Sequence, residues 1–143
     1  MKIVLDTNVL VAGLLSPFGP CGEIVRMVSS GEVTLALDAR ILTEYREVLA
    51  RPKFKFDQDK VAAILDLIEH RGIIVAASPL MQPLPDPDDE PFLEIAITAR
   101  VAGLVTGNHV HFPAESCQGV TVLSPAEFLA FYRQHITNRR ADG

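Results

Sequence analysis

Cysteine, long apolar runs and basic charge are all scarce in this sequence, and each shortage excludes a class of protein. The 143 residues include two cysteines, Cys21 and Cys117, which are too few for a disulfide framework and do not have metal-ligand spacing. No apolar stretch approaches the ~18 residues that span a bilayer, and the N-terminal run is too short for a signal peptide. We therefore expect a cytoplasmic protein with free thiols and no membrane contact.

The 18 acidic side chains outnumber the 13 basic ones, which gives a formal net charge of -5. This balance argues against a broad basic surface that holds nucleic acid, although nucleic acid could still be a substrate. One local group of basic residues could guide a phosphate backbone, or could equally be a solvated helix face followed by a basic loop. The group comprises Arg40, Arg46, Arg51, Lys53 and Lys55.

Short apolar runs alternate with stretches of helical periodicity along the chain. The runs that predict buried strands are residues 2–5, 33–37, 73–75, 104–105 and 120–123. This alternation predicts a three-layer α/β/α domain with a central, mainly parallel sheet of about five strands. We expect one domain over residues 1–136 and a disordered tail over residues 137–143.

The first apolar run ends abruptly at Asp6, Thr7 and Asn8. Asp6 has two ordinary explanations there, as a cap of the following helix or as part of a polar site at the carboxyl edge of a parallel sheet. Residues 106–108, with the sequence Thr-Gly-Asn, follow another predicted strand and would share that edge. Position alone leaves both explanations open.

Further acids could face the same edge. Glu44 lies near the start of the helix after the second strand, and residues 86–90 begin another helix with several acids. Converging carboxylates repel and raise each other's pKa, so the arrangement makes best sense if Mg2+ or Mn2+ neutralises it. Acids are also favoured at any helix N-terminus, and Glu44 could be a solvated helix residue. Spacing alone does not decide between these interpretations.

Four separated stretches carry these residues in order along the chain. They read VLDTNVL at residues 4–10, LTEYREVLARP at residues 42–52, DPDDEPFLEIA at residues 86–96 and LVTGN at residues 104–108. Together they resemble the PIN domain family, in particular its branch of toxins from bacterial toxin-antitoxin pairs. The resemblance implies a PIN-like fold and a Mg2+- or Mn2+-dependent ribonuclease, with catalytic and metal-binding acids that match Asp6, Glu44 and Asp89.

The sequence departs from the family pattern at Asn108, where many relatives carry a fourth acid. Asn108 would be a neutral metal ligand or would hold a water outside the ligand shell, which disfavours tight binding of a second metal. Within the acidic cluster, Asp89 has the family spacing to Phe92, and Asp86 is the alternative ligand. Three further residues would orient carboxylates or water: Thr7, Asn8 and Thr106.

From this ordered set of acids we hypothesise that one or two divalent ions activate water for in-line attack on an RNA phosphodiester, which leaves a 5′-phosphate and a 3′-hydroxyl. The family resemblance carries two further implications. It also implies a homodimer and a cognate antitoxin protein. Asn108 motivates an alternative hypothesis, a catalytically weak or silent PIN-like module that binds RNA or a protein partner.

Two other patterns carry less weight. His109 and His111 lie in one loop without a further histidine or cysteine at metal-ligand spacing, so we predict that they are plain surface residues. The stretch from Asp6 to Asn8 can also be compared with phosphoaspartate hydrolases. Those enzymes have an aspartate or threonine two residues after the nucleophile, whereas this chain has Asn8 there and has no matching lysine motif.

Overall fold

A sheet of parallel strands forms the centre of this computed structural model, which describes the backbone of residues 1–142 and the side chains of residues 1–140. Within that range, five strands pair in the order β3-β2-β1-β4-β5. Their bounds are β1 (Lys2–Leu5), β2 (Thr34–Leu37), β3 (Ile73–Ile74), β4 (Gly103–Val105) and β5 (Val122–Leu123). All four strand pairs are parallel, which confirms the predicted three-layer α/β/α fold.

Helices connect the strands and cover both faces of the sheet. The helices are α1 (Thr7–Leu15), α2 (Pro20–Ser30), α3 (Ala39–Leu49), α4 (Gln58–Arg71), α5 (Glu90–Ala99) and α6 (Pro125–Asp142). Ile3, Val4 and Leu5 are each fully buried although successive strand residues point to opposite faces. The uninterrupted apolar runs in the sequence therefore reflect a sheet that is covered on both sides.

Local sequence signals begin and end these helices. The Asp38 carboxylate accepts a hydrogen bond from the backbone N–H of Ile41 at 3.1 Å and so caps α3. Ser124 and Glu127 form a capping box at the start of α6, because each side chain accepts from the other residue's backbone N–H. Gly31 ends α2 with a φ of 85°, in the left-handed region that glycine adopts without strain.

The strand order reverses between β1 and β4. The chain runs from β1 outward through β2 and β3, and then crosses to the other side of β1 to form β4 and β5. Leu5 pairs with Val105, and the backbone N–H of Asp6 donates to the Val105 carbonyl at 2.9 Å. Asp6 and Thr106 therefore leave the sheet side by side, at the kind of crevice where open α/β sheets bind ligands.

The division into a domain over residues 1–136 and a disordered tail over residues 137–143 stays a prediction. Helix α6 continues to Asp142, and Gly143 lies outside the described residues. Arg139 and Arg140 lie in the last turn, where positive side chains interact favourably with the carbonyl end of the helix.

Among the described residues, no single helix is long and apolar enough to cross a membrane. Within the same described range, one pair of helices, α1 and α2, has the required length and composition when taken together, and the two are bent by 101° relative to each other.

Candidate active site

Asp6 lies at the end of β1, at the carboxyl edge of the sheet, and is only 4% exposed. The hydroxyl of Thr106, at the end of the neighbouring β4, donates a hydrogen bond to Asp6 Oδ2 at 2.7 Å. The same hydroxyl accepts from the backbone N–H of Asn108 at 3.1 Å. Thr106 is thus fixed by its own loop and orients the Asp6 carboxylate.

The backbone of Asp6 occupies the position before α1, but its carboxylate makes no capping hydrogen bond within the described residues. Burial raises the pKa of Asp6, and the Thr106 hydroxyl is the strongest of several groups that oppose this change. The backbone N–H groups of Asn8 and Thr7 also favour the charged form, although neither hydrogen-bonds the carboxylate well enough to cap the helix. The geometry therefore disfavours simple helix capping as the role of Asp6.

Glu44 extends from α3 toward the same edge. Its side chain is half-buried, and the Thr7 hydroxyl donates to its Oε2. Burial is the main cause that raises the pKa of Glu44, and the charge of Asp6 raises it further. The hydrogen bond from Thr7 and the charge of Arg51 both lower this pKa. The Tyr45 hydroxyl donates to the buried Leu5 carbonyl, which holds α3 against β1.

Asp89 is the third carboxylate of the site. It ends a 3-10 turn, Pro87–Asp89, that leads into α5. Asp89 is 8% exposed, whereas Asp86 and Asp88 are both exposed. The Asp86 carboxylate accepts from the backbone N–H of Asp88 at 2.9 Å and so holds the turn. Of these three aspartates, the turn buries only Asp89.

The buried Asp89 carboxylate is poorly satisfied. Its Oδ2 receives no hydrogen bond from the part of the chain that the structure describes. Burial is the main cause that raises the pKa of Asp89 to about 6. The charges of three nearby acids add to this shift: Asp6, Asp86 and Glu44. The charge of His111 opposes it. An unpaired, buried carboxylate oxygen is costly, and such a group calls for a positive partner.

His111 lies beside this oxygen. Its Nδ1 is 3.1 Å from Asp89 Oδ2, but the angle is not that of a hydrogen bond, so the oxygen stays unpaired. Its Nε2 is 2.9 Å from Asn108 Nδ2. The prediction of a plain surface residue is therefore wrong for His111. His109 is exposed, with its Nε2 3.4 Å from Glu127 Oε1.

Two candidates from the sequence remain, Asn8 and Asn108. Asn8 is exposed on the first turn of α1, and Asn108 is half-buried with its amide against His111. Glu94, a buried acid on α5, was not among the candidates from the sequence. Its Oε1 pairs with Arg40 Nη1 at 2.9 Å, so an ion pair accounts for its burial.

The three carboxylates suit a hard divalent cation. Asp6, Glu44 and Asp89 could supply oxygen ligands. The charge of Asp6 raises the pKa of both Glu44 and Asp89, and one buried oxygen of Asp89 is unpaired among the described residues. Across residues 1–140, however, no three histidine, cysteine, aspartate or glutamate side chains are already grouped closely enough to hold an ion.

Comparison with known sequences gives the family of this parallel α/β domain. The family profile described as PIN domain matches residues 2–110, well over half of the chain. The chain belongs to the PIN domain family, which confirms the resemblance seen in the sequence. An uncharacterized protein of Methanocaldococcus jannaschii is 24% identical over 111 residues, which cover 76% of this chain and 71% of that protein.

Proposed function

We propose that the protein is a metal-dependent endoribonuclease. One observation carries the proposal: Asp6, Glu44 and Asp89, from three distant parts of the chain, lie near one another at the switch point of the sheet with raised pKa values. Grouped acids of this kind are costly for a fold and are characteristic of functional sites. Membership of a family of nuclease-type hydrolases gives the reaction class.

These three residues would hold Mg2+ or Mn2+. When bound, the cation would supply an activated water and would stabilise the charge that develops on the phosphoryl oxygens. Hydrolysis forms one bond from the water oxygen to phosphorus and breaks the bond from phosphorus to the 3′-oxygen. The products are a 5′-phosphate and a 3′-hydroxyl that takes up a proton.

Neighbouring side chains would keep the carboxylates in place. Thr106 fixes one oxygen of Asp6, and Thr7 fixes one oxygen of Glu44, so each acid keeps its other oxygen available. Arg51 is near enough to lower the pKa of Glu44 and could bind an RNA phosphate beside the site. These contacts would orient the site before the substrate binds.

The proposal extends to the biological setting that the toxin-like resemblance suggests. The protein would be the toxin of a toxin-antitoxin pair, would act on RNA in the cytoplasm, and would form a homodimer bound by its antitoxin. Co-expression with the product of an adjacent small gene tests this part. A stable complex in which RNA cleavage is suppressed would support it, and cleavage unaffected by every neighbouring product would refute it.

Cleavage of a single-stranded RNA that carries a fluorophore and a quencher tests the activity itself. We expect cleavage with Mg2+ or Mn2+, none with EDTA, and a loss of at least about 100-fold in Asp6→Asn. Asp66→Asn, at an exposed position on α4, is the matched control and should retain activity. Cleavage that persists in EDTA, or survives Asp6→Ala undiminished, would refute the proposal.

Asn108 favours a second candidate, a silent PIN module that binds RNA or a protein partner. Its amide contacts His111, where many relatives would present a carboxylate. Calorimetric titration with Mn2+ separates the two candidates. Binding that is lost in Asp6→Asn supports the nuclease, whereas no binding at millimolar Mn2+ supports the silent module.

A further inference from the structure

His111 and Asp89 present two potential ligand atoms to each other without forming a hydrogen bond. Nδ1 of His111 lies 3.1 Å from Oδ2 of Asp89. That oxygen is buried and unpaired with respect to the described residues. Simple ion pairing would be expected to align an N–H with the oxygen, since hydrogen bonds weaken steeply at poor angles.

The separation suits two ligands of one cation. Adjacent ligands of an octahedral ion, each about 2.1 Å from the metal and at right angles, are about 3.0 Å apart. The observed 3.1 Å is close to this value. A small shift of the His111 side chain, which is 36% exposed, would bring both atoms to one ion.

Asn108 supports this arrangement of the imidazole. Its amide nitrogen is 2.9 Å from His111 Nε2. A half-turn of the amide presents Oδ1 instead, which would accept a hydrogen bond from Nε2–H and leave the lone pair of Nδ1 directed toward Asp89. Metal-binding histidines are commonly held in this way, by a hydrogen bond on the nitrogen that does not bind the metal.

We propose that His111 is a ligand of the cation site and that Asn108 positions it. This inference rests on the proposed function, because it requires that the three carboxylates bind a divalent cation. The site then presents one imidazole nitrogen beside carboxylate oxygens. Imidazole is a softer ligand than carboxylate, so the site prefers a first-row transition ion such as Mn2+ over Mg2+.

Binding of Mn2+ alone, followed by calorimetry and by pulsed electron paramagnetic resonance, tests the proposal on the full chain. The resonance experiment detects the magnetic coupling of a directly bound nitrogen to Mn2+. We expect this coupling in the wild type, with its loss in His111→Ala and a fall in Mn2+ affinity of about tenfold or more. The affinity for Mg2+ should fall less than the affinity for Mn2+ in His111→Ala. The ratio of the Mn2+ affinity to the Mg2+ affinity should therefore decrease.

His109→Ala is the matched control because its ring lies in the same loop but contacts Glu127. It should retain both the coupling and the affinity. His111→Gln is a second variant, which keeps a polar side chain at this position. Circular dichroism and thermal melts check that each variant folds.

The outcomes separate this inference from the proposed function. Mn2+ binding that depends on Asp6 and Asp89 but shows no nitrogen coupling, with unchanged affinity in His111→Ala, overturns the ligand role and leaves the nuclease proposal intact. A coupling that persists in His111→Ala also overturns the role. Absence of Mn2+ binding in the wild type overturns both.

Discussion

Replacing Asp89 with asparagine should make the metal-free protein more stable at neutral pH. Most substitutions of buried residues destabilise a fold, so the expected sign is unusual. It follows from the burial of this carboxylate among Asp6 and Glu44, with one oxygen unpaired among the described residues. Asparagine has nearly the same shape and removes the charge.

The magnitude follows from the pKa of Asp89, which burial raises from 3.8 to about 6. The folded protein therefore binds a proton more tightly than the unfolded chain does. The associated stabilisation is complete below about pH 4 and is lost as the pH rises through 6. A shift of about two units corresponds to about 3 kcal/mol. We reduce this to about 1 to 2 kcal/mol, because solvent screens the exposed part of the side chain and the asparagine amide needs partners of its own.

Thermal unfolding in EDTA at pH 7.5 and pH 4.5 is the assay. We expect Asp89→Asn to raise the melting temperature by about 3 to 6 °C at pH 7.5, with a smaller difference at pH 4.5. Asp66→Asn, the exposed control on α4, should change stability by less than about 0.5 kcal/mol. Mn2+ at about 100 times its Kd should stabilise the wild type by about 2.7 kcal/mol and the variant by much less.

A lower melting temperature for Asp89→Asn at pH 7.5 in EDTA would refute this reasoning. So would a difference that stays constant between the two pH values. Either result would mean that the folded protein satisfies the Asp89 carboxylate without a cation.

Three other substitutions give further predictions. Tyr45→Phe should destabilise the fold by about 1 to 2 kcal/mol, because it leaves the buried Leu5 carbonyl without its hydrogen-bond donor. Urea denaturation measures this, and an unchanged midpoint would contradict it. Thr106→Val should weaken Mn2+ binding about tenfold in calorimetry, because the Asp6 carboxylate loses the hydroxyl that orients it; wild-type affinity would argue against that role. Asn108→Asp should raise the Mn2+ stoichiometry from one to two per chain, because it restores a fourth acid, and an unchanged ratio would count against the charge argument.

Much of the fold could be predicted from local signals. The unbroken apolar run before Asp6 indicates a strand covered on both faces, and Ile3 to Leu5 are indeed fully buried. The Ser-x-x-Glu pattern at residues 124–127 and the glycine at position 31 are local signals that coincide with helix ends in the structure. These features depend on residues close together in the chain, so the sequence contains the information directly.

The arrangement of the site depends on contacts that local patterns do not encode. Family spacing favoured Asp89 over Asp86, but the burial of one and the exposure of the other follow from a 3-10 turn. His111 meets Asp89 only because β4 and the start of α5 lie at the same sheet edge. Its position three residues after Asn108, one helical turn, was the available signal that the two side chains could touch.

Diffraction from crystals soaked in Mn2+, recorded for its anomalous signal, tests the central claim most directly. We expect one strong peak at the carboxyl edge between β1 and β4, in contact with carboxylate oxygens of Asp6, Glu44 and Asp89. A peak held by other residues, or none at these carboxylates at millimolar Mn2+, would contradict it.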